Sequence, residues 1–348
     1  MASLWYNRTM SIAMFMSPER LAQEHGMLNR LAIGLINEGE QVTRVIPHFA
    51  NDVSPEYEKA VSIISKLHTQ MRIPWLQRKE KHSMLAEALQ KSNTESIVVF
   101  GKSASPIGTT IARLLDVPLY QEVTNMRQAK RVRRSSSTSR WLAATPSIER
   151  AVTERVGEDR STLMPLGVAP VPEQSHDAEP QTRCVIVLNA SDEVKETRSV
   201  LLALQPVPDT HVFLECNGRR DQHIWSAIKE SSMHNRVTCL KDVASLRKLV
   251  IQADLIILPS SRMSVRTVLL EAMESGVPVI STIIPGFDML VDGETAILVN
   301  RTWAQPLRSL IEDKDLRLRL GVGAEKLISR NYGSAVQIAA LQAAVTPF

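Results

Sequence analysis

The sequence predicts an α/β protein with two Rossmann-like domains, because short apolar runs alternate with helix-length amphipathic segments along the whole chain. Its 348 residues exceed what one hydrophobic core usually fills, which favours two domains. A proline-rich segment without periodicity, residues 169–182, interrupts the pattern near the middle and is typical of a linker. We expect the two domains to face each other across a cleft.

Each predicted strand is a run of four or five mostly apolar residues, and helical periodicity lies between the runs. In the first half the strands are residues 11–15, 42–46, 97–100, 119–123 and 141–144, and the helical stretches are 20–38, 82–91 and 107–115. In the second half the strands are 184–188, 212–216, 237–240, 255–258 and 277–280, and the closing helices are 316–330 and 334–345. The predicted domains are therefore 1–168 and 183–330, joined by the linker 169–182 and followed by a terminal helix within 331–348.

Charge and cysteine content set the class of partner and the compartment. The chain has 41 Lys and Arg against 37 Asp and Glu, and this mild basic excess permits anionic partners without requiring nucleic acid. The three cysteines show no C-x-x-C spacing, and the first residues contain no apolar run of signal or membrane-spanning length. These features predict a cytoplasmic protein with reduced thiols.

The first candidate site is the strand-to-helix transition after Leu258. Ligands of a parallel sheet bind beyond the carboxyl ends of its strands, where N–H groups at a helix start attract phosphate. Glu271 lies in the helix predicted to follow, where the helix dipole favours a carboxylate that could bind sugar hydroxyls. On this pattern alone, a solvated helix glutamate is the alternative.

Residues 255–299 carry a longer motif, LIILPSSRMSVRTVLLEAMESGVPVISTIIPGFDMLVDGETAILV. This segment resembles the donor-binding core of family-4 glycosyltransferases of the GT-B fold. There a strand ending in Pro-Ser precedes E-G-F-G-x-x-x-x-E-A-M-A-x-G-x-P-V-I, a glycine turn and D-G-x-x-G-x-L-V. The resemblance extends over nearly the whole chain and implies that the last helix crosses back to the first domain.

The resemblance implies a glycosyltransferase that moves a sugar from a nucleoside diphosphate sugar to an acceptor, with retention and without a metal ion or other cofactor. It implies that Glu271 binds the ribose hydroxyls of the nucleotide and that Lys195 faces the diphosphate. The other implied donor-binding residues are Ser264, Val265, Arg266 and Gly218.

Ser264 and Arg266 stand at the two glycines of E-G-F-G, and three further departures from the family motifs bear on activity. Met263 stands where the family has the glutamate that contacts the donor sugar, and Ala190 replaces the arginine of G-R-x-x-x-x-K. Thr124 replaces a histidine of the first domain. Arg262 or Arg266 could supply the missing cation, or each could be a solvated loop arginine. The alternative to an active enzyme is a GT-B scaffold that binds nucleotide, glycan or a partner protein without turnover.

A basic segment, RQAKRVRRSSSTSR at residues 127–140, contains no acid. If it is helical, one face carries Arg127, Lys130, Arg131 and Arg134, and the serine run forms a mobile connection. Such a face could be solvated, or it could bind an anionic membrane surface or a lipid-linked acceptor and make the protein peripheral to the membrane. Nucleic acid is not expected, because no aromatic residues lie among the basic ones.

No metal site is predicted. The histidines show no H-x-x-x-H pair, and Asp313-Lys314-Asp315 precedes a helical stretch, where an aspartate is typical of a helix cap.

Overall fold

The computed structural model describes residues 9–47, 65–70, 77–134, 136–170, 183–216, 221–300 and 302–346. The chain divides into two compact units. The first comprises Met1–Thr124, Gln128–Gly167 and Ser334–Phe348, and the second comprises Asn125–Arg127 and Val168–Gly333. Most of the predicted linker 169–182 lies outside the described residues.

The first unit is built on a parallel sheet with the strand order β3-β2-β1-β4-β5-β6-β7. Its strands are β1 (Ser11–Met16), β2 (Gln41–Pro47), β3 (Ser65–Thr69), β4 (Ser96–Phe100), β5 (Leu119–Val123), β6 (Arg140–Ala143) and β7 (Ser161–Leu163). All residues of the central strand β1 are buried, as expected where helices cover both faces of a parallel sheet.

The second unit has a parallel sheet with the order β10-β9-β8-β11-β12-β13. Its strands are β8 (Arg183–Val187), β9 (Thr210–Glu215), β10 (Val237–Leu240), β11 (Leu255–Leu258), β12 (Val279–Thr282) and β13 (Ile297–Val299). Its core includes Val187, Leu214 and Ile257, all fully buried.

Most of the helices connect successive strands, and the last three follow the final strand β13. They are α1 (Pro18–Asn37), α2 (Arg78–Lys91), α3 (Ser105–Leu115), α4 (Met126–Ala129), α5 (Pro146–Val156), α6 (Val194–Leu204), α7 (Asp221–Glu230), α8 (Val243–Val250), α9 (Thr267–Glu274), α10 (Ala304–Glu312), α11 (Lys314–Asn331) and α12 (Ser334–Val345). The last helix, α12, returns to the first unit, where Gln337 Nε2 lies 3.2 Å from Met27 Sδ of α1. The predicted α/β fold with a returning terminal helix is confirmed.

The strands that the sequence does not predict are β3, β7 and β13, and all three are edge strands. Strands β7 and β13 have only three residues, which is too short for a strand pattern to be recognised, and β3 has the polar sequence SKLHT. Strand β12 begins two residues later than predicted, because Gly276, at φ +71°, and Pro278 belong to the turn before it. Among the described residues, no helix has the length and apolar character needed to cross a membrane.

Candidate functional site

The carboxyl ends of β8, β9 and β11 form the candidate site of the second unit. Strands β8 and β11 are neighbours, but the chain leaves β8 toward β9 on one side and leaves β11 toward β12 on the other. This reversal is the topological switch point, where open α/β sheets bind their ligands. Helix α9 begins after β11, so its N-terminal N–H groups lie at the same edge of the sheet.

Glu271 lies in the second turn of α9 and is paired with a cation. Nη1 of Arg247, on α8, donates a hydrogen bond to Glu271 Oε2, and Nη2 of Arg247 donates to Thr267 Oγ1 at 2.8 Å. Thr267 and Glu271 are four residues apart and therefore share one face of α9. Helix α8 is fixed at its start by Asp242, whose carboxylate accepts from Ser245 N at 2.7 Å. The Glu271 side chain keeps 16% of its surface exposed, so it remains accessible.

Arg266, the N-cap residue of α9, enters a buried ion pair. Its Nη1 lies 2.8 Å from Glu215 Oε1 and 2.9 Å from Oε2, and it donates to Asn189 Oδ1 at 3.2 Å. The two charged side chains are each only 3% exposed. Asn189 follows β8 with φ +53°, a conformation that asparagine tolerates, and its N–H donates to Glu215 Oε2 at 2.8 Å.

The remaining donors of Arg266 are unusual. Within the described part of the chain, Nε and Nη2 of Arg266 are shielded from solvent and have no hydrogen-bond partner. A buried donor without a partner costs about 1–3 kcal/mol, so this part of the guanidinium destabilises the fold locally. The solvated-loop alternative is therefore wrong for Arg266, whereas Arg262 is exposed as that alternative expects.

The three residues that replace family motif residues, Met263, Ala190 and Thr124, are all buried. Met263 is 4% exposed, and Val265 is fully buried beside it. Ala190 lies in the apolar core of the second unit, so its position has no room for an arginine without rearrangement. Thr124 is buried, and its N–H donates to Gln128 Oε1 at 2.8 Å across the short helix α4.

The other predicted donor-binding residues fall in different surroundings. Lys195 is exposed in the first turn of α6, which follows β8 and the Asn189 turn. Ser264 is half-buried, and its Oγ accepts a hydrogen bond from Asn125 Nδ2 at 2.7 Å. Gly218 lies outside the described residues. The structure thus brings Arg266 and Glu271 onto one helix, with Lys195 on the helix after the neighbouring strand.

The basic segment is not one helical face, and this prediction is wrong. Helix α4 ends at Ala129, and Lys130, Arg131 and Arg134 follow in an irregular loop. The cause is a set of side-chain donors that bind the loop's backbone carbonyls. Arg155 Nε donates to Val132 O at 3.2 Å, and the Arg160 guanidinium donates to the carbonyls of Arg134, Ser136 and Thr138.

The same contacts reach the described part of the serine-rich stretch, because Arg160 donates to the carbonyls of Ser136 and Thr138. Ser139 N donates to Leu119 O at 2.8 Å, and Val132 is buried as an apolar anchor. Arg127 and the loop residues Lys130, Arg131, Arg133 and Arg134 are all exposed. The loop therefore holds its basic side chains in solvent on a fixed backbone.

A second buried charge cluster lies in the first unit. Arg20, in the first turn of α1, donates from Nε to Glu122 Oε2 at 2.9 Å and from Nη2 to Oε1 at 2.6 Å. Its Nη1 lies 3.3 Å from Glu24 Oε1, where α1 departs from helical geometry. Burial raises the pKa of Glu122 above its ordinary value, and the Arg20 charge opposes this rise.

The described residues contain no group of three His, Cys, Asp or Glu side chains arranged to hold a metal ion. Asp313 caps α11, since its Oδ1 accepts from Leu316 N at 2.8 Å, as the sequence predicts.

Comparisons with known proteins agree with this architecture. Residues 182–313 match the family model described as Glycosyl transferases group 1. Over 96–97% of its length the chain superposes on Anabaena HepE in complex with UDP and glucose, with a TM-score of 0.76, and on sucrose-phosphate synthase of Thermosynechococcus elongatus, with a TM-score of 0.73. The superpositions cover 100% and 98% of those chains, at 15% and 16% identity, and so show the fold. The chain therefore has the GT-B fold, and its residues 182–313 match a glycosyltransferase family model.

Curated relatives of this GT-B chain match over a shorter stretch. D-inositol 3-phosphate glycosyltransferase of Corynebacterium glutamicum (strain R) is 38% identical over 77 residues, which are 21% of this chain and 18% of the relative. The enzyme of the same name from Corynebacterium efficiens is 33% identical over 102 residues, which are 27% of this chain and 24% of the relative. The match therefore spans less than a quarter of either relative.

Sequence reasoning on this GT-B chain missed Glu215, Asn189 and Arg247. Glu215 carried a usable signal, because a carboxylate ends the otherwise apolar strand β9 at the ligand-binding edge of the sheet. Arg247 carried none, since its role depends on how α8 packs against α9.

Proposed function

We propose that this GT-B chain is a glycosyltransferase that transfers a sugar from a nucleoside diphosphate sugar to an acceptor hydroxyl. The observation that carries the proposal is the position of Glu271 on α9, accessible and beside the switch point of the second sheet. A carboxylate there can accept hydrogen bonds from two ribose hydroxyls, worth about 1.5–3 kcal/mol each when charge-assisted. Because Anabaena HepE forms crystalline complexes with UDP and with UDP-glucose, UDP is the first ligand to test.

The proposed reaction requires above all that the negative charge on the leaving diphosphate be stabilised. The bond between the anomeric carbon and the diphosphate oxygen breaks, and the nucleoside diphosphate leaves with the bonding electrons. The acceptor oxygen bonds to the anomeric carbon, and the proton of the acceptor hydroxyl passes to the leaving diphosphate oxygen. Cations facing the diphosphate stabilise the charge that develops on it. Lys195 and Arg266 are the side chains proposed for this role, so the working mechanism needs no metal ion. Retention at the anomeric carbon is proposed from the resemblance to family-4 glycosyltransferases alone.

The proposed donor site also includes Ser264, Val265 and Gly218, through backbone groups at the start of α9 and after β9. No general acid or base is assigned, because Thr124 replaces the family's histidine and is occupied with Gln128. The proposed reaction therefore depends on stabilising the leaving group and not on proton transfer by a side chain.

A scaffold without turnover is the second candidate function, and two observations favour it. Met263 is buried and offers the donor sugar no carboxylate, and Arg266 is already neutralised by Glu215. A panel of UDP- and GDP-sugars, assayed for both hydrolysis and transfer, tests the two functions. We expect turnover of at least one donor; nucleotide binding with neither hydrolysis nor transfer would instead support the scaffold.

For the acceptor side, we propose that the fixed basic loop binds an anionic membrane surface. Four exposed cations follow one another within Lys130–Arg134, and each basic residue near anionic lipid contributes about 1 kcal/mol. Vesicles with and without anionic lipid, sedimented or floated with the protein, test this binding. We expect loss of binding in the double variant Arg131→Glu, Arg134→Glu.

The matched control changes the same charge elsewhere. Lys326 and Arg330 are exposed on α11 of the second unit, and Lys326→Glu with Arg330→Glu alters the net charge equally. We expect this control to bind vesicles as the wild-type chain does. Equal loss in both double variants would show a net-charge effect and overturn the role of the loop.

A further inference from the structure

Arg266 leaves one edge of its guanidinium without a partner. Its Nη1 is taken by Glu215 and Asn189, while Nε and Nη2 have no hydrogen-bond partner in the described chain. Nε and Nη2 form the side of the guanidinium that grips a carboxylate or phosphate with two parallel bonds. Arg20 uses the same side for the carboxylate of Glu122. The unpartnered edge of Arg266 is therefore suited to an oxyanion.

The position of this edge points to a phosphate. Arg266 is the N-cap of the eight-residue helix α9 and lies beside the carboxyl ends of β8 and β9. Backbone N–H groups at a helix start and the switch point of a parallel sheet both favour phosphate groups. Because Nε and Nη2 are shielded from solvent, an incoming anion has to displace the part of the protein that covers them.

We propose that Glu215 is a positioning residue, which holds Arg266 by Nη1 and presents its Nε–Nη2 edge to the diphosphate of a nucleotide. Arg266 would then supply, from a glycine position of the family motif, the cation that is absent at Ala190. This inference rests on the proposed function for the identity of the ligand. Because Glu215 neutralises the guanidinium, binding depends on the directed pair of hydrogen bonds more than on net charge.

Titration calorimetry with inorganic pyrophosphate tests the edge without a base or a sugar. We expect Arg266→Lys, which keeps the charge but loses the two-donor edge, to weaken pyrophosphate binding by about tenfold or more. Arg262→Lys is the control in the neighbouring exposed loop and should change affinity by less than about twofold. Loss in Arg262→Lys with retention in Arg266→Lys would assign the anion to the other arginine and overturn the proposal.

Two variants of Glu215 separate positioning from folding. Glu215→Gln keeps an acceptor for Nη1 and should stay within about threefold of the wild-type pyrophosphate affinity, whereas Glu215→Ala should lose about tenfold. If Glu215 has only a structural role, the pyrophosphate affinities of the two variants should instead follow their thermal stabilities. Equal pyrophosphate affinity in the Gln and Ala variants would contradict positioning by Glu215.

The double variant Glu215→Leu, Arg266→Gly leaves no unpaired buried charge and so protects the test from misfolding. We expect this double variant to lose pyrophosphate binding. Unchanged binding would show that the Nε–Nη2 edge of Arg266 does not bind the anion. Stronger binding would mean that the ion pair blocks the site, which also contradicts the proposal.

The proposed function fails separately from this inference. If Arg266-dependent pyrophosphate binding occurs without turnover of any nucleotide sugar, the inference stands and the transferase falls. If nucleotide sugars are turned over while pyrophosphate and UDP bind equally to all the variants, the transferase stands and the inference falls. Wild-type protein that binds neither pyrophosphate nor UDP nor GDP overturns both.

Discussion

Nη1 of Arg247 donates a hydrogen bond to Oε2 of Glu271, so the carboxylate proposed to bind ribose already has a cationic partner on the neighbouring helix. Thr267 lies one turn before Glu271, and its Oγ1 accepts a hydrogen bond from Nη2 of the same guanidinium. The arrangement fixes the direction of the carboxylate, because Arg247 is held at two points of α9. Arg247 is therefore proposed to be a positioning residue.

The first prediction concerns Arg247. Arg247→Met removes the guanidinium and keeps most of the aliphatic bulk, which frees Glu271 to rotate. We expect UDP binding to weaken about threefold to tenfold in calorimetric titrations. The loss of affinity on replacing UDP by 2′-deoxy-UDP, which we call the deoxy penalty, should be smaller than in the wild-type chain. Lys248→Met, at the next and exposed position of α8, is the control that should leave both quantities unchanged. A deoxy penalty that stays the same in Arg247→Met would dismiss the positioning role.

A second prediction concerns Met263, the position of the family's sugar-binding glutamate. Met263→Glu introduces a carboxyl at a site that is 4% exposed, so we expect a loss of about 1–3 kcal/mol in the free energy of unfolding. Urea denaturation measures it. Met84→Glu on α2 makes the same chemical change where the side chain is exposed and should be neutral. Equal free energies of unfolding for Met263→Glu and Met84→Glu would contradict the burial of residue 263.

The third prediction concerns the contact between α11 and the turn after α9. A Cβ on Gly321 would lie 2.2 Å from the carbonyl oxygen of Gly276, so Gly321→Ala forces the backbones apart. We expect it to destabilise the protein by about 1–3 kcal/mol, as overpacking does. Gly26→Ala in α1, where a Cβ meets nothing closer than 3.4 Å, should instead add about 0.5–1 kcal/mol. Thermal and urea unfolding of the two variants should therefore move in opposite directions, and a shared direction would contradict the packing.

The fourth prediction concerns pH and Glu122. Burial raises the pKa of Glu122, so the folded chain binds this proton more tightly than the unfolded chain does. The resulting stabilisation is complete below the unfolded pKa and is lost as pH rises through the raised folded pKa. We expect Glu122→Gln to abolish that part of the pH dependence. Urea midpoints of both proteins across the acid to neutral range measure it, and parallel curves would show that Glu122 does not titrate as described.

The sequence predicts the helices and strands that are long or continuously apolar. It does not predict the edge strands, which are recognised only by their pairing with a neighbouring strand. The central strands and α12 match the sequence prediction closely, since each has a continuous apolar or helical pattern. The edge strands β3, β7 and β13 escaped because each is polar or has three residues. The basic segment was misjudged because Arg155 and Arg160, distant in sequence, bind carbonyls that a helix would need.

The family motif points to Glu271, Lys195 and Arg266 as donor-binding residues, and their roles stay predictions, but it does not indicate that Arg266 pairs with a buried carboxylate. Arg266 reads in sequence as a substituted loop glycine, and Glu215 as the polar end of a strand. Only the adjacency of β8, β9 and β11 brings the two charges within 2.8 Å. Two residues that are 51 positions apart in the sequence thus form one ion pair in the fold.

The central claim is that Glu271 binds the ribose of a nucleoside diphosphate, and calorimetric titration of UDP and GDP into Glu271→Ala tests it most directly. The control is Glu274→Ala, one turn further along α9, where the carboxylate accepts from Ser329 Oγ at 3.1 Å. We predict that Glu271→Ala weakens binding by about tenfold or more, equivalent to about 1.4 kcal/mol, while Glu274→Ala leaves it unchanged. Nucleotide affinity that is the same in Glu271→Ala and in the wild-type chain would contradict the claim.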